Sequence, residues 1–175
     1  MTNSPYSDAP GRRETLHVDW PLFGELSRAL ALRVSRSFTP DVVIGIATAG
    51  VVPGAVVAAM LDRPFKSMIV SRRHEADTIR DTPAVFGAAP AEVRGKNVLV
   101  VDETCDSGDT MRLAIAAIRN AGARSVKTAV SFRTGDFVPD FAALETEANV
   151  VLPWDREIIV DGVLVPNPKY ETDAE

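Results

Sequence analysis

The 175-residue sequence predicts an α/β fold, a single domain with a mainly parallel twisted sheet and helices on both faces. Three observations lead there. Runs such as 42–46 (VVIGI) and 98–101 (VLVV) are continuously apolar, as strands buried on both faces are. These runs alternate with helical stretches, the pattern of right-handed βαβ units. The two stretches richest in small and acidic residues, ATAG (47–50) and DETCDSGDT (102–110), each join a strand to a helix. Ligands of open parallel sheets bind at such strand ends.

Residues 1–13 are polar with Pro and Gly and predict a disordered tail. From Asp19, a cap followed by Pro21 begins an amphipathic helix on which Leu22, Leu26, Leu30 and Val34 share a face. The strand at 42–46 runs into ATAG, and VVPGAVVAAML then reads as a helix whose small side chains lie close on a sheet. FKSMIVS (65–71) is the next strand. Residues 72–95 have mixed charge, two prolines, two glycines and no sustained period. That length predicts a functional loop carrying short strands. KNVLVVDE is a buried strand, MRLAIAAIRNAG a helix stopped by Gly122, and SVKTAVSF another strand. NVVLP and EIIVDG are extended. The domain is expected over 14–165, with 166–175 as a C-terminal tail.

Composition narrows the function classes. Hydrophobic residues make up 46% and the net charge is −5, which argues against a general nucleic-acid or membrane-surface binder. One cysteine allows no internal disulfide, so a reducing cytoplasm is expected. Neither a signal peptide nor an apolar run near the length of a membrane helix is seen. Nothing has the form of a Ser/His/Asp triad or a Cys/His zinc grouping.

The stretch VLVVDETCDSGDTM (98–111) holds the chemistry. DSGDT opens a helix, where backbone N–H groups and the helix dipole favour an anion and Ser107 and Thr110 add hydroxyls. It lacks both the G-x-x-x-x-G-K of a P-loop and the G-x-G-x-x-G of a dinucleotide fold. Asp102 and Glu103 suit two tasks: accepting hydrogen bonds from vicinal sugar hydroxyls, or holding Mg²⁺ directly or through water. A phosphorylated sugar with a nearby cation fits the whole stretch; a helix cap with solvated acids is the plainer account. ATAG offers backbone amides to a second anion, or is simply a tight turn.

VLVVDETCDSGDTM resembles the phosphoribosyl-pyrophosphate motif of the type I phosphoribosyltransferases. DVVIGIATAGVVPGAVVAAML resembles their pyrophosphate loop and following helix, and 72–95 stands where they carry a flexible hood. The resemblance covers about residues 15 to 160. It implies a Mg²⁺-dependent transfer of phosphoribose from phosphoribosyl pyrophosphate to a nucleobase, in a homodimer. It also implies that Asp102 and Glu103 hold the ribose hydroxyls and the metal, and that Asp106, Ser107, Gly108, Asp109 and Thr110 cradle the 5′-phosphate. Ala47, Thr48, Ala49 and Gly50 would meet the pyrophosphate. In the 6-oxopurine branch an acid precedes the Ser/Thr-Gly and manages the proton of the base, and Asp106 stands there. SFRTGDFVPDF…NVVLPWD is similar to the xanthine/guanine segment, which implies Arg133, with Lys127 second, on the exocyclic oxygen and Val150 on the base edge. Departures from the pattern are Glu103 for Asp, Asp109 beside the phosphate, Thr48 and Ala49 for a basic residue, and Asn149 for a stacking aromatic. A non-catalytic regulator and an orotate enzyme are the competing readings.

Overall fold

In a computed structural model, residues 14–73, 79–86 and 88–173 are described. In chain order the elements begin with β1 (Thr15–His17), α1 (Trp20–Ser35), β2 (Val42–Ala47), α2 (Val51–Met60) and β3 (Phe65–Arg73). There follow β4 (Ile79–Phe86), β5 (Asn97–Cys105), α3 (Asp109–Asn120), β6 (Ser125–Arg133) and β7 (Phe141–Glu145). The chain closes with β8 (Asn149–Val151), β9 (Glu157–Val160) and β10 (Val163–Pro166).

Two compact units arise from the chain, Asp19–Thr146 and a smaller one drawn from Met1–Val18 and Glu147–Glu175. The larger unit is built on a six-stranded sheet in the order β4-β3-β2-β5-β6-β7. Every pairing in it is parallel except β3 with β4. Central strands β2 and β5 are apolar because both of their faces are covered. Leu30, Val34, Val57 and Ala58 of α1 and α2 pack on one face with Val43, Leu99 and Val101. Met111, Ala114 and Ile118 of α3 pack on the other with Ile44, Val98 and Val100. This is the expected mainly parallel α/β fold.

Local signals account for most boundaries. Asp19 caps α1, its carboxylate accepting the Leu22 N–H at 2.8 Å, and Pro21 sits in the first turn. Gly122, at φ +92°, ends α3. The buried face of α1 is Phe23, Ser27, Leu30, Ala31 and Val34, and Leu26 packs against the same cluster, so the expected stripe holds except at Leu22. Leu22 stays 40% exposed. The long segment after β3 is an antiparallel edge strand, β4, followed by a short 3-10 turn at Ala91–Val93. Residues 74–78 within the expected hood, and the expected tail 1–13, lie outside the described residues.

In the smaller unit β1 and β8 pair in parallel, and β9 and β10 form a hairpin. Its two-residue Asp161–Gly162 loop has φ of +51° and +80°, the geometry that suits right-twisted hairpin strands. Residues 168–173, expected as part of a tail, form a 3-10 turn. The Asp155 carboxylate ties that turn down by accepting from Lys169 and from the Tyr170 hydroxyl.

Candidate functional site

Strands β2, β5 and β6 run in parallel, so their carboxyl ends share one edge of the sheet. The two loops singled out in the sequence are therefore neighbours. Their contact is tight at Gly50: a Cβ there would stand 2.5 Å from the Val101 carbonyl oxygen and 2.9 Å from Asp102 Cα. Only glycine allows the turn 47–50 to press onto the start of the acidic stretch. The Gly50 N–H donates to Ile46 O at 2.8 Å, which closes the turn. Thr48 is exposed, Ala47 and Ala49 are half-buried, and the Ala47–Thr48 peptide is cis. Gly50→Ala is expected to lower stability by roughly 1–3 kcal/mol, the cost of overpacking, measured by urea denaturation. A loss below about 0.5 kcal/mol would contradict this packing.

Strand β5 continues through the acids as far as Cys105. Asp102 and Glu103 are thus consecutive residues at the end of this strand. Burial pushes the Asp102 carboxyl up to about 7, and the Glu103 charge adds to this. The Glu103 N–H, donated to Asp102 Oδ1 at 2.9 Å, opposes the rise. A carboxylate so desolvated gains from a cation or from sugar hydroxyls. Burial also pushes the Cys105 thiol up to about 11, with Asp102 adding to the effect. A thiol held neutral is a poor nucleophile.

Beyond Cys105 the chain turns through Asp106, Ser107 and Gly108 into α3. Gly108 is left-handed, at φ +80°, and a Cβ on it would lie 2.2 Å from the Phe137 ring. The loop after β6 buttresses the turn. The Thr134 N–H donates to Cys105 O at 2.9 Å and the Phe137 N–H to Asp106 O at 3.1 Å. Gly135 forms the seat of Asp106, since a Cβ there would come within 1.8 Å of Asp106 Oδ1.

Asp109, which had no role in the sequence beyond a charge near a phosphate, acquires one. Its carboxylate accepts the Ser107 hydroxyl at 2.9 Å and pairs with Arg112 at 3.2 Å. The Ser107 hydroxyl, expected to donate to a phosphate, is directed at Asp109 in this state. Thr110 lies half-buried in the first turn of α3. Arg112 also donates to the Ser107 carbonyl at 2.7 Å, and its guanidinium stands 5.2 Å from the centre of the Phe137 ring. Arg112 and Phe137 were not singled out from the sequence. The three-residue spacing of Asp109 and Arg112 was a legible signal, whereas nothing local marks Phe137.

Arg133 ends β6 directly beside Cys105, so it belongs to the same edge. Its Nε donates to Gly135 O at 3.1 Å and its Nη1 meets Glu145 at 3.2 Å. Lys127 stands six residues earlier on the strand, roughly 20 Å away at strand rise, and pairs with Asp140 at 2.7 Å. It therefore belongs away from the site edge. Val150 and Trp154 are half-buried residues of the smaller unit, and Asn149 there is exposed.

The phosphoribosyl transferase domain model matches residues 17–148. The chain belongs to the phosphoribosyltransferase family. The chain is 30% identical over 153 residues to the xanthine-guanine phosphoribosyltransferase of Cereibacter sphaeroides, covering 81% of this chain and 87% of that one. It is 34% identical over 140 residues to the transcriptional regulator GfcR of Haloquadratum walsbyi. That match takes in 73% of this chain and 63% of the regulator's length. Among solved structures, the purine phosphoribosyltransferase from Pyrococcus horikoshii superposes with a TM-score of 0.72 at 27% identity. The superposition covers 84% of this chain and 98% of that one.

Proposed function

We propose that this chain moves the 5-phosphoribosyl group from phosphoribosyl pyrophosphate to a 6-oxopurine. A bond from C1′ to a base nitrogen forms as the bond from C1′ to the pyrophosphate oxygen breaks. The products are a nucleoside 5′-monophosphate and pyrophosphate, and the base gives up a proton. The observation that carries the reading is Asp106. Asp106 is exposed, its carboxylate seated on Gly135, and it stands between the half-buried acid Asp102 and the turn at 107–110 proposed for phosphate.

In this reading Asp106 accepts the proton the base loses. Asp102, with Glu103, orients the ribose, and the backbone of 107–110 at the head of α3 receives the 5′-phosphate. The turn 47–50 meets the pyrophosphate, and the hood shields the reacting centre from water. Arg133 is assigned to the base, and swinging it onto an exocyclic oxygen requires releasing Glu145. Mg²⁺ fits the residues present, since the desolvated Asp102 and its neighbour Glu103 supply one or two carboxylates. Among the described residues no group of three or more His, Cys, Asp or Glu could hold a metal, so the remaining ligands would be phosphates and water. When bound, Mg²⁺ supplies charge neutralisation of the leaving pyrophosphate. A homodimer in the cytoplasm belongs to the same reading. Among the described residues no helix is long and apolar enough to cross a membrane.

Similarity to enzymes named for xanthine and guanine, and to a purine enzyme of known structure, supports a purine acceptor. Similarity to a transcriptional regulator, together with the Arg133–Glu145 pair, favours a second reading. There the chain binds phosphoribosyl pyrophosphate or a nucleotide without turnover. A panel of bases with phosphoribosyl pyrophosphate and Mg²⁺, read as pyrophosphate release, separates the two. Release is expected with hypoxanthine, xanthine or guanine. Binding without release for any base would favour the regulator, and consumption of orotate alone would move the enzyme to the pyrimidine branch.

A further inference from the structure

We propose that Arg112 and Phe137 are positioning residues for the phosphate turn, acting as one brace that sets the direction of its backbone N–H groups. The inference rests on the phosphoribosyl reading above and adds two residues to it.

The brace is assembled from three directions. Arg112 donates to the Ser107 carbonyl at 2.7 Å. A trans peptide points its C=O and N–H in opposite directions, so pinning the Ser107 carbonyl toward α3 turns the Gly108 N–H the other way. Arg112 also meets the Asp109 carboxylate at 3.2 Å, which offsets a negative charge at the place where a phosphate would arrive. From below, the Phe137 ring fills the space that a Cβ on Gly108 would take, at 2.2 Å. Gly108 and no other residue can sit left-handed at φ +80° there without collision. Finally, the guanidinium stands 5.2 Å from the ring centre, so each member of the brace fixes the other.

The same ring connects the turn to the base end of the site. The Phe137 N–H donates to Asp106 O at 3.1 Å, and Gly135, two residues before it, accepts from Arg133 and seats the Asp106 carboxylate. Arg112 itself is largely exposed, its side chain 59% accessible. Its polar contacts are with the turn rather than the core, so removing it leaves the core intact. Nη1 alone donates both hydrogen bonds, to the Ser107 carbonyl and to Asp109, while the planar guanidinium lies over the ring; the compact ammonium of lysine does not stack in that way.

The test uses probes that occupy different parts of the site: ribose 5-phosphate for the phosphate turn, inorganic pyrophosphate with Mg²⁺ for the turn at 47–50, and phosphoribosyl pyrophosphate for both. Arg112→Ala and Phe137→Ala are each expected to weaken ribose 5-phosphate and phosphoribosyl pyrophosphate about tenfold in titration calorimetry, while pyrophosphate changes less than twofold. Arg112→Lys is expected to recover less than half of the loss on a logarithmic scale. The double variant is expected to lose no more than the worse single variant, as for residues that act as a unit. Unchanged ribose 5-phosphate binding in Arg112→Ala overturns the brace, and so does an equal weakening of pyrophosphate. If Phe137→Ala does not fold, Phe137→Leu and the exposed Arg112 variants carry the test. Failure of the unmodified protein to bind all three probes overturns the phosphoribosyl reading itself, and the two failures are thereby distinct.

Discussion

Asp106→Asn is expected to lower kcat for the best 6-oxopurine by about 10²–10⁴-fold, the range for a positioned acid or base, with the KM for phosphoribosyl pyrophosphate within about threefold. Asparagine keeps the size of the side chain and its seat on Gly135, but it cannot accept a proton at neutral pH. The loss therefore belongs to the chemical step rather than to binding. A companion variant, Gly135→Ala, forces the carboxylate out of its seat because the new Cβ would fall 1.8 Å from Oδ1. It should lower kcat in the same direction although the residue at 106 is still an aspartate. Steady-state kinetics with separate base and sugar titrations measures both. Unaltered kcat in Asp106→Asn would remove Asp106 from the proton transfer.

Asp102→Asn is expected to make the ligand-free protein more stable at pH 8 and no more stable at pH 4. Burial raises the folded-state carboxyl from 3.8 to about 7. Between those values the folded protein holds a proton that the unfolded chain has released. Stability from this group is thus fully present below about 4 and is lost as pH rises to about 7. The difference at pH 8 is of order 2–4 kcal/mol, scaled from the shift and reduced because the residue keeps some accessible surface. Asp140 and Asp155, both held below the usual carboxylate range, contribute the opposite slope at lower pH. The variant-minus-parent curve cancels them. Denaturant melts across pH 4 to 8 give that curve, and a flat one would show that Asp102 is solvated. The same substitution is expected to weaken phosphoribosyl pyrophosphate binding by about 10–100-fold, through loss of charged hydrogen bonds. A gain in stability with a loss of binding is what a desolvated functional carboxylate produces.

The stability of the site and its proposed chemistry are linked through a few close backbone approaches. Gly50 brings one loop onto Asp102, and Gly108 and Gly135 bring the loop after β6 onto the other. None of these glycines contributes a side chain to chemistry. Each removes a Cβ at a point where two strand ends must converge, so the geometry of the acids depends on residues that carry no charge.

Much of this was legible from residues alone. Strands buried on two faces must be apolar throughout, so β2 and the first half of β5 declared themselves, and the caps at Asp19 and Gly122 marked helix ends through local hydrogen bonding and φ. The site loops were legible for a related reason: small residues and acids at strand ends have few structural uses. Other features were decided by contacts between residues far apart in sequence. The edge strand β4 lacks the continuous apolar run of a two-sided strand, so its residues looked like loop. Leu22 follows the helical period yet is exposed, since the period does not say where along its length a helix leaves the core. Glu145 claims Arg133 and Asp140 claims Lys127 across the β6–β7 pairing, which no local spacing announces. Phe137 packs against the turn at Gly108 from 29 positions beyond it. The sequence alone determined the central strands, the helices and the small-residue and acidic turns that join them, because those depend on period, capping and side-chain type. The tertiary structure alone decided which charges pair with each other, which carboxylate is desolvated and what braces the turn, because Coulomb and packing energies depend on distances that only the folded chain defines.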